Sequence, residues 1–305
     1  METPPGTAGS KDLPGQPVVP LLCLLAAIIL LSTVAPAMKL VFLQGQITPF
    51  GMVTAKLTAA AIILVAAALF LEERELQLLN RADLVRLCLL GLLGVGLPHA
   101  IAAWGLQLTT ATHYILITTL AASFTSLFGL LHKNEKIVPM MLLGLLVSFA
   151  GGLIAVSENL QQSASNLLFG DALVFLFMIL MSAQLLLHSA TAKRCGILTA
   201  NSVMFGSSAL ALLTVGMLWP GPARVRLSVV SLAWLMYIGI ATGAVFLLRH
   251  LALRSVAPAA AGALQYLAPV SAVLLASVFL GEALELHTVV GGVLILSGVE
   301  LVRRA

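Results

Sequence analysis

Charged residues are scarce in this chain. They make up 9% of its 305 residues, and aromatic residues only 6%. Soluble domains carry about 25% charged residues because their surfaces face water, so a soluble fold of this size is excluded. The 16 Lys and Arg exceed the 12 Asp and Glu only slightly and are spread along the chain, so we expect no nucleic-acid partner.

Cysteine and catalytic motifs are nearly missing as well. Three scattered cysteines form neither a disulfide scaffold nor a ligand pair for a metal. The chain has no His-Glu-x-x-His zinc motif, Gly206-Ser207-Ser208 is not a nucleophile elbow, and Asp171 at a span edge has no second partner for a catalytic dyad. We therefore expect no enzyme activity, no metal and no other cofactor.

Apolar residues dominate what remains: they make up 60% of the chain, and the mean hydropathy is +1.08. A bilayer core about 30 Å thick needs about 20 mainly apolar residues per spanning helix. Period-two alternation is absent, so helices rather than a barrel must cross the lipid. The sequence predicts an all-α membrane protein with ten transmembrane helices, at residues 20–42, 49–71, 84–106, 111–131, 137–156, 168–189, 198–219, 229–251, 258–280 and 287–302.

A polar stretch divides these helices into two groups of five. We predict a disordered cytoplasmic tail over residues 1–19, a five-helix unit over 20–157, a linker over 158–167 and a second five-helix unit over 168–303. With the N-terminus inside, ten basic residues flank the spans on the cytoplasmic side, against Arg224, Arg226 and Arg254 outside. Both termini are therefore predicted to be cytoplasmic.

The two halves carry a weak internal repeat. A shift of 147 residues aligns Gly96 with Gly243, Glu135 with Glu282, Gly144 with Gly291 and Gly151 with Gly298. Because each unit has five helices, the two units must run in opposite directions through the membrane. Inverted repeats of this kind are typical of alternating-access carriers with a substrate site near the midplane.

The segment from Ala252 to Val299 carries the most specific pattern. It contains Ala-Pro-Val at residues 268–270, Leu-Gly-Glu at 280–282 and a Gly-Gly then Gly spacing in the last helix. Over about residues 20–304 the chain resembles the drug/metabolite transporter superfamily, and within it the ten-helix EamA-type carriers. The first half departs from the pattern, with Ala122 in place of Pro269 and Asn134 in place of Gly281.

The resemblance implies a secondary carrier that exports or exchanges a small metabolite across a bacterial inner membrane. It also implies a central cavity lined mainly by helices one, three, four, six, eight and nine, with Lys39 and Lys56 at basic positions that the family often carries. Two alternatives remain open: a membrane assembly or accessory protein on the same fold, and, less favoured, an intramembrane enzyme. The glycines of helices five and ten fit close packing within a monomer or in a homodimer.

Embedded charges are the first candidates for a substrate site, because charge inside a bilayer is costly. Lys39, Lys56 and Arg249 are assigned to the outer halves of their helices, and no Asp or Glu lies in the middle of a span. They predict a small-molecule substrate that bears a carboxylate, as an amino acid does. Snorkelling of the charged group to the lipid headgroups is the alternative for Lys39 and Arg249, whereas Lys56 lies about 10 Å inside its helix.

The lack of an embedded carboxylate disfavours exchange of protons for cationic drugs. If protons are coupled, His99 or His113 must carry them, although a lone buried histidine is more often a packing residue. Further candidates for substrate contact are His113 itself and the aromatic and amide residues Trp104, Tyr114, Gln184, Gln265 and Tyr266. The alternative for these groups is interfacial anchoring or hydrogen bonding between helices.

Four residues are candidates for gating or for structural roles. Pro98 and Pro269 interrupt backbone hydrogen bonding within helices and can act as hinges or as fixed kinks. Glu135 and Glu282 are assigned to the cytoplasmic ends of helices four and nine, where they would accept N–H groups at the start of the next helix. A gating ion pair with Lys133, Lys136 or Arg194 is the alternative.

Overall fold

The computed structural model describes residues 18–45, 47–133, 138–157, 165–219, 228–256, 261 and 264–304. Over these residues it consists of helices and contains no β-strand. Tail residues 1–17, linker residues 158–164, and Glu135 and Lys136 lie outside the described part. The predictions made for them stay predictions.

The described helices follow the chain in thirteen segments with one π-helical segment between the fourth and fifth. Their bounds are α1 Val18–Leu43, α2 Pro49–Leu71, α3 Glu73–Gln77, α4 Arg81–Gly91, the π segment Leu92–Gly96, α5 Leu97–Leu108, α6 Ala111–Thr119, α7 Ala121–Lys133, α8 Pro139–Ala155, α9 Ser165–Cys195, α10 Ile197–Leu218, α11 Val229–Leu253, α12 Leu267–Leu280 and α13 Leu286–Arg304.

Eight helical stretches of the described chain are long and apolar enough to cross a membrane. The shorter apolar helices α8 and α12 lie where the fifth and ninth spans are predicted. The prediction of an all-helical membrane protein is therefore confirmed. The sixth span begins earlier than predicted, at Ser165, and continues to Cys195.

Side-chain caps set the start of several spans. Thr48, Thr110 and Ser228 each accept a hydrogen bond, 3.1 Å long, from the backbone N–H three residues later. Asn80 does the same at the start of α4, at 2.7 Å from the nitrogen of Asp83. These oxygens satisfy backbone donors that have no partner within the first helical turn.

Two predicted spans are interrupted helices. The third span contains the π segment, in which the N–H of Leu97 bonds to the carbonyl of Leu92, and buried Pro98 is the next residue after Leu97. Proline lacks a backbone donor and its ring clashes with the preceding turn, so the regular helical hydrogen bonding is interrupted at this point. The fourth span divides into α6 and α7 at a turn centred on Leu120.

Glycines hold α8 and α13 in close antiparallel contact within one chain. A Cβ atom on Gly144 would lie 2.7 Å from the carbonyl oxygen of Gly298, and one on Gly151 would lie 2.7 Å from that of Gly291. These distances leave no room for a side chain on either helix. Small residues of this kind allow helix backbones to approach closely in lipid.

The two ends of the bundle differ in charge. At one end, which we call the arginine end, Glu72 follows α2 and lies 3.9 Å from the guanidinium of Arg254. Arg254 therefore lies at the same end as Arg81, and its assignment to the opposite side was wrong. Arg249 lies five residues before it, so its assignment to the outer half of its helix was also wrong. The cause is the direction of α11, which runs parallel to α2.

The opposite end, which we call the Glu282 end, holds the turn after α12. Both carboxylate oxygens of Glu282 accept hydrogen bonds at the start of α6, whereas α7 ends at Lys133, one full span away. Glu282 therefore lies at the opposite end of the bundle from Lys133, and its assignment to the same side as Lys133 was wrong because five crossings separate the two residues.

We expect Gly144→Ala to lower the thermal stability of the purified protein. Its Cβ would meet backbone atoms of α13, and overpacking of this kind costs about 1–3 kcal/mol. Scanning fluorimetry in detergent would measure the fall in Tm. The control is Gly206→Ala in α10, where an added Cβ meets nothing within 4 Å, so Tm should hold or rise. Equal shifts in both variants would contradict the packing argument.

Candidate functional site

Lys56 is a buried cation in the interior of the bundle. Its residue is 4% exposed and lies on α2, seven residues after Pro49. Within the described part of the chain, no carboxylate forms an ion pair with its ammonium group. When protonated, the group therefore has no protein counterion in that part of the bundle. A buried charge is normally paired, so this position suits an anionic ligand.

His99 lies close enough to Lys56 for their charges to interact. It lies on α5, immediately after Pro98, and its Nδ1 atom is 2.8 Å from the carbonyl oxygen of Val95 in the π segment. The imidazole meets the edges of Phe177 and Phe205, with ring centroids 5.5 and 6.3 Å away. Aromatic rings from α9 and α10 thus surround the histidine beside the lysine.

Tyr114 and Gln184 border the same aromatic cluster. Tyr114 on α6 stacks on Phe177 with ring centroids 6.3 Å apart. The Gln184 amide nitrogen lies 3.4 Å from the sulfur of Met204, and its side chain packs against Gly94 in the π segment. The structure therefore brings four predicted residues, Lys56, His99, Tyr114 and Gln184, to one interior region.

Arg249 lies closer to the arginine end than Lys56 does, because Lys56 is level with Gly239, ten residues earlier on α11. It is partly buried on α11, one turn after Phe246, whose ring packs on Phe205 at a centroid distance of 4.9 Å. Like Lys56, it has no carboxylate partner among the residues that the structure describes. The interior thus holds two cations along an aromatic cluster formed by Phe177, Phe205 and Phe246.

Lys39 has a different environment at the Glu282 end. Its ammonium group donates to the backbone carbonyls of Leu106 and Gln107, each at 3.1 Å, and to that of Thr109. These carbonyls end α5, where no further helical N–H is available and the helix dipole is negative. Lys39 therefore caps α5 and joins it to α1.

His113 forms a buried pair with Asp171 near the same end. The Nδ1 atom of His113 lies 3.3 Å from Asp171 Oδ2, and the hydroxyl of Thr109 donates to Asp171 Oδ1. Each of the three residues is less than a tenth exposed. An imidazole and a carboxylate at this distance can share or pass a proton.

Glu282 ties the turn after α12 to the start of α6. Its oxygens accept from the backbone N–H groups of Ala111 and Thr112, each at 2.8 Å, and from the Thr112 hydroxyl at 2.7 Å. A carboxylate here satisfies free donors and faces the positive end of the α6 dipole. The predicted bonding to helix-start N–H groups therefore occurs, but on α6 rather than on the next helix.

Four predicted residues lie apart from the interior cluster. Trp104 is 51% exposed and packs against Phe169 on the outer surface of α5 and α9. Gln265 is exposed, and the Tyr266 hydroxyl donates to Glu300 at 2.9 Å near the arginine end. Pro269 is partly buried, next to Ala268, whose carbonyl accepts from Ser32.

The sequence reasoning missed two buried carboxylates that have partners. Asp171 was discounted as a lone residue at a span edge, but α9 begins six residues before it. Glu72 directly follows the second predicted span, which ends at residue 71; it is 2% exposed, accepts from the Thr199 N–H at 2.8 Å and lies 3.4 Å from His250. Because successive spans cross the membrane in opposite directions, the fourth and sixth spans begin at the same end. This reasoning would have placed His113 and Asp171 at one end of the bundle.

Gly196 makes the Glu72 contact possible. This glycine joins α9 to α10 with a positive φ of 86°, and a Cβ atom on it would lie 2.2 Å from a Glu72 carboxylate oxygen. A side chain at this position would therefore prevent the carboxylate from reaching the start of α10. The arginine end thus has its own carboxylate cap, as the other end has Glu282.

The family model of the EamA-like transporter family matches residues 19–157 and 168–304. The chain belongs to this family. An uncharacterized transporter of Archaeoglobus fulgidus is 25% identical over 258 residues, which cover 84% of this chain and 88% of the relative. An uncharacterized transporter of Clostridium kluyveri is 25% identical over 282 residues, or 90% of each chain.

One solved crystal structure resembles this EamA-like transporter along most of its length. The TM-score is 0.65 at 20% sequence identity, with 93% of this chain and 98% of that chain covered. At this identity the likeness shows the fold alone. Together with the family match, the apolar helices support an integral membrane protein, and the relatives named as transporters indicate a transporter rather than an enzyme.

We expect Glu282→Gln to speed amide hydrogen exchange at Ala111 and Thr112 by at least about tenfold, because hydrogen bonds to a charged acceptor contribute about 1.5–3 kcal/mol. Exchange followed by mass spectrometry would measure it. Glu285→Gln is the matched control, since Glu285 lies in the same turn and pairs with His287 instead. Unchanged exchange in Glu282→Gln would exclude the proposed cap.

Proposed function

We propose that this EamA-like transporter is a secondary carrier that exports or exchanges a small, carboxylate-bearing metabolite, such as an amino acid, by alternating access. The single observation that carries the proposal is Lys56, a buried cation without a carboxylate partner among the described residues. A substrate carboxylate would supply the missing counterion. His99, Tyr114 and Gln184 would contact the rest of the substrate.

The aromatic rings around Lys56 support the choice of a small organic anion over an inorganic one. Phe177, Phe205 and Tyr114 offer flat apolar surfaces beside a small number of polar groups. Ligand sites in proteins commonly have this composition. Arg249, about one helical turn beyond Phe246, would receive the carboxylate as it moves toward the arginine end.

Alternating access requires two halves that can exchange roles, and the contacts favour two inverted five-helix repeats within residues 20–157 and 168–303. Shifting the Gly144–Gly298 contact by 147 residues gives Gly291–Gly151, which is also a close contact. A two-fold axis in the membrane plane would produce this exchange. The ten-helix arrangement would then consist of these two repeats.

A second exchanged contact lies at the two ends of the bundle. The Thr109–Asp171 pair at the Glu282 end corresponds, after the same shift, to Val256 and Leu24. These two belong to one apolar cluster at the arginine end. The correspondence between opposite ends is what inversion of one repeat requires.

The charge distribution supports an orientation with the arginine end and both termini in the cytoplasm. When Arg254 is counted at the arginine end, eleven basic residues flank the spans there and two flank them at the other end. The sequence-based count was ten and three. The excess of basic residues marks the cytoplasmic side. We place the protein in a bacterial inner membrane, as a monomer or a homodimer.

Protons are the coupling ion that the buried groups favour, with His113 and Asp171 as the carriers. The pair is buried beside the start of α6, whose donors Glu282 holds. Opening of this end would admit water to the imidazole and carboxylate and let them exchange a proton with solvent. His99 would instead act beside Lys56 as a substrate ligand.

We expect Lys56→Gln to weaken substrate binding by at least about 30-fold, because removing one partner of a buried charge pair costs about 2–5 kcal/mol. A thermal-shift screen of amino acids and short carboxylic acids on wild-type protein would find the ligand, since binding raises Tm. The variant should show no shift at the same concentrations.

Lys193→Gln, a substitution of an exposed lysine at the end of α9, is the control and should bind as wild type does. Lys56→Arg keeps the charge and should recover part of the binding. If Lys56→Gln binds and transports the same ligand normally in liposomes, Lys56 is not in the site. If no carboxylate shifts the wild-type Tm or is transported, the proposed substrate class is wrong.

We expect His113→Gln and Asp171→Asn each to abolish uptake driven by a pH gradient in proteoliposomes, while exchange of labelled for unlabelled substrate continues. The difference arises because exchange does not require net proton movement. His287→Gln is the matched control, since His287 lies at the same end and faces Glu285. Gradient-driven uptake that persists in both pair variants would exclude this proton site.

A further inference from the structure

A groove of about 610 Å³ lies on the membrane-facing side of α4, near the arginine end. Its described walls are the exposed face of α4 and Leu187 of α9. Apolar side chains, among them Val85, Leu89 and Leu187, form most of its surface. The groove is open to the lipid and is separate from the interior cluster around Lys56.

Two arginines stand at the mouth of this groove, and none of its described lining residues is acidic. One Arg86 nitrogen donates to the backbone carbonyl of Leu187 at 2.9 Å, which fixes the guanidinium across the two walls. Arg81 has no ion-pair partner among the described residues. The neighbouring carboxylate of Asp83 is 5% exposed and pairs with Arg194, so it does not neutralise the groove.

The order of these residues along α4 matches the depth profile of a lipid leaflet. Arg81 begins the helix, Arg86 lies about 7 Å further along it, and Leu89 about 12 Å. Positive charge thus occupies the headgroup level, and aliphatic surface continues into the hydrocarbon region. A guanidinium can bind phosphate through two parallel hydrogen bonds.

We propose that this groove binds one anionic phospholipid, with its phosphate on Arg81 and Arg86 and an acyl chain along Val85, Leu89 and Leu187. The charge at the mouth selects a lipid with net negative charge over a zwitterionic one. The apolar walls require an acyl chain, so free phosphate does not suffice. Basic pockets between membrane helices on the cytoplasmic side are known to hold such headgroups.

The test uses the full-length protein purified in detergent and titrated with phosphatidylglycerol or phosphatidylcholine of identical acyl chains. Native mass spectrometry would count bound lipids and give an apparent Kd for each. We expect wild type to bind one phosphatidylglycerol in preference to phosphatidylcholine. The double variant Arg81→Gln/Arg86→Gln should weaken phosphatidylglycerol binding by about 25-fold, since each arginine contributes about a fivefold factor.

The matched control is Arg74→Gln/Lys193→Gln, which removes the same charge from exposed positions at the same end. This control variant should still prefer phosphatidylglycerol to phosphatidylcholine. That result would distinguish binding in the groove from general attraction to a basic surface. The variant Leu89→Gln, which keeps both arginines, should weaken the binding of both lipids, because it removes part of the apolar wall. Each variant is first checked for an unchanged elution profile and Tm.

Several outcomes would overturn the proposal. The wild-type protein could bind the two lipids equally, or the preference for phosphatidylglycerol could survive Arg81→Gln/Arg86→Gln. The control variant could lose that preference to the same extent. Inorganic phosphate alone could also compete with the lipid. Cross-linking from Val85→Cys to a second copy of the chain in phosphatidylglycerol nanodiscs would identify a dimer contact instead. None of these results depends on which substrate the carrier moves.

Discussion

The constraint on which this structure depends is that lipid offers no hydrogen-bond partner to a polar group. Helices satisfy the backbone, and three carboxylates find partners inside the chain: Glu282 holds the first N–H groups of α6, Glu72 the start of α10, and Asp171 a threonine and a histidine. Against this background two cations, Lys56 and Arg249, stand without carboxylates in the described chain. This contrast is the basis of the proposal that the interior binds an anion.

The two ends of the bundle are alike in position but not in chemistry. Thr109 and Asp171 close one end with a polar contact, and the corresponding residues Val256 and Leu24 close the other with an apolar one. The first contact contains groups that can titrate, whereas the second is hydrocarbon. Under the proposed mechanism, pH would therefore act at one face of the protein, although the same family model matches both halves.

Sequence alone predicted the positions of the spans, because a run of apolar residues long enough to cross lipid is a strong physical signal. It also selected Lys56, His99, Tyr114 and Gln184, which the fold brings together. It failed where the outcome depends on which end a turn occupies, as for Arg254 and Glu282. It also failed for Asp171, whose partner lies 58 residues away along the chain. Local composition indicates neither the end of the bundle at which a turn lies nor a partner that is distant in the sequence.

The π segment of the third span changes which side of that span faces the interior of the bundle. One additional residue in the turn rotates everything after it by about 100° relative to an uninterrupted helix. The groove surface at Arg86 and Leu89 therefore faces the lipid, while His99, further along the same span, faces the aromatic rings of the interior. The buried positions along residues 81–108 therefore follow two 3.6-residue phases, which change near Gly94, rather than one.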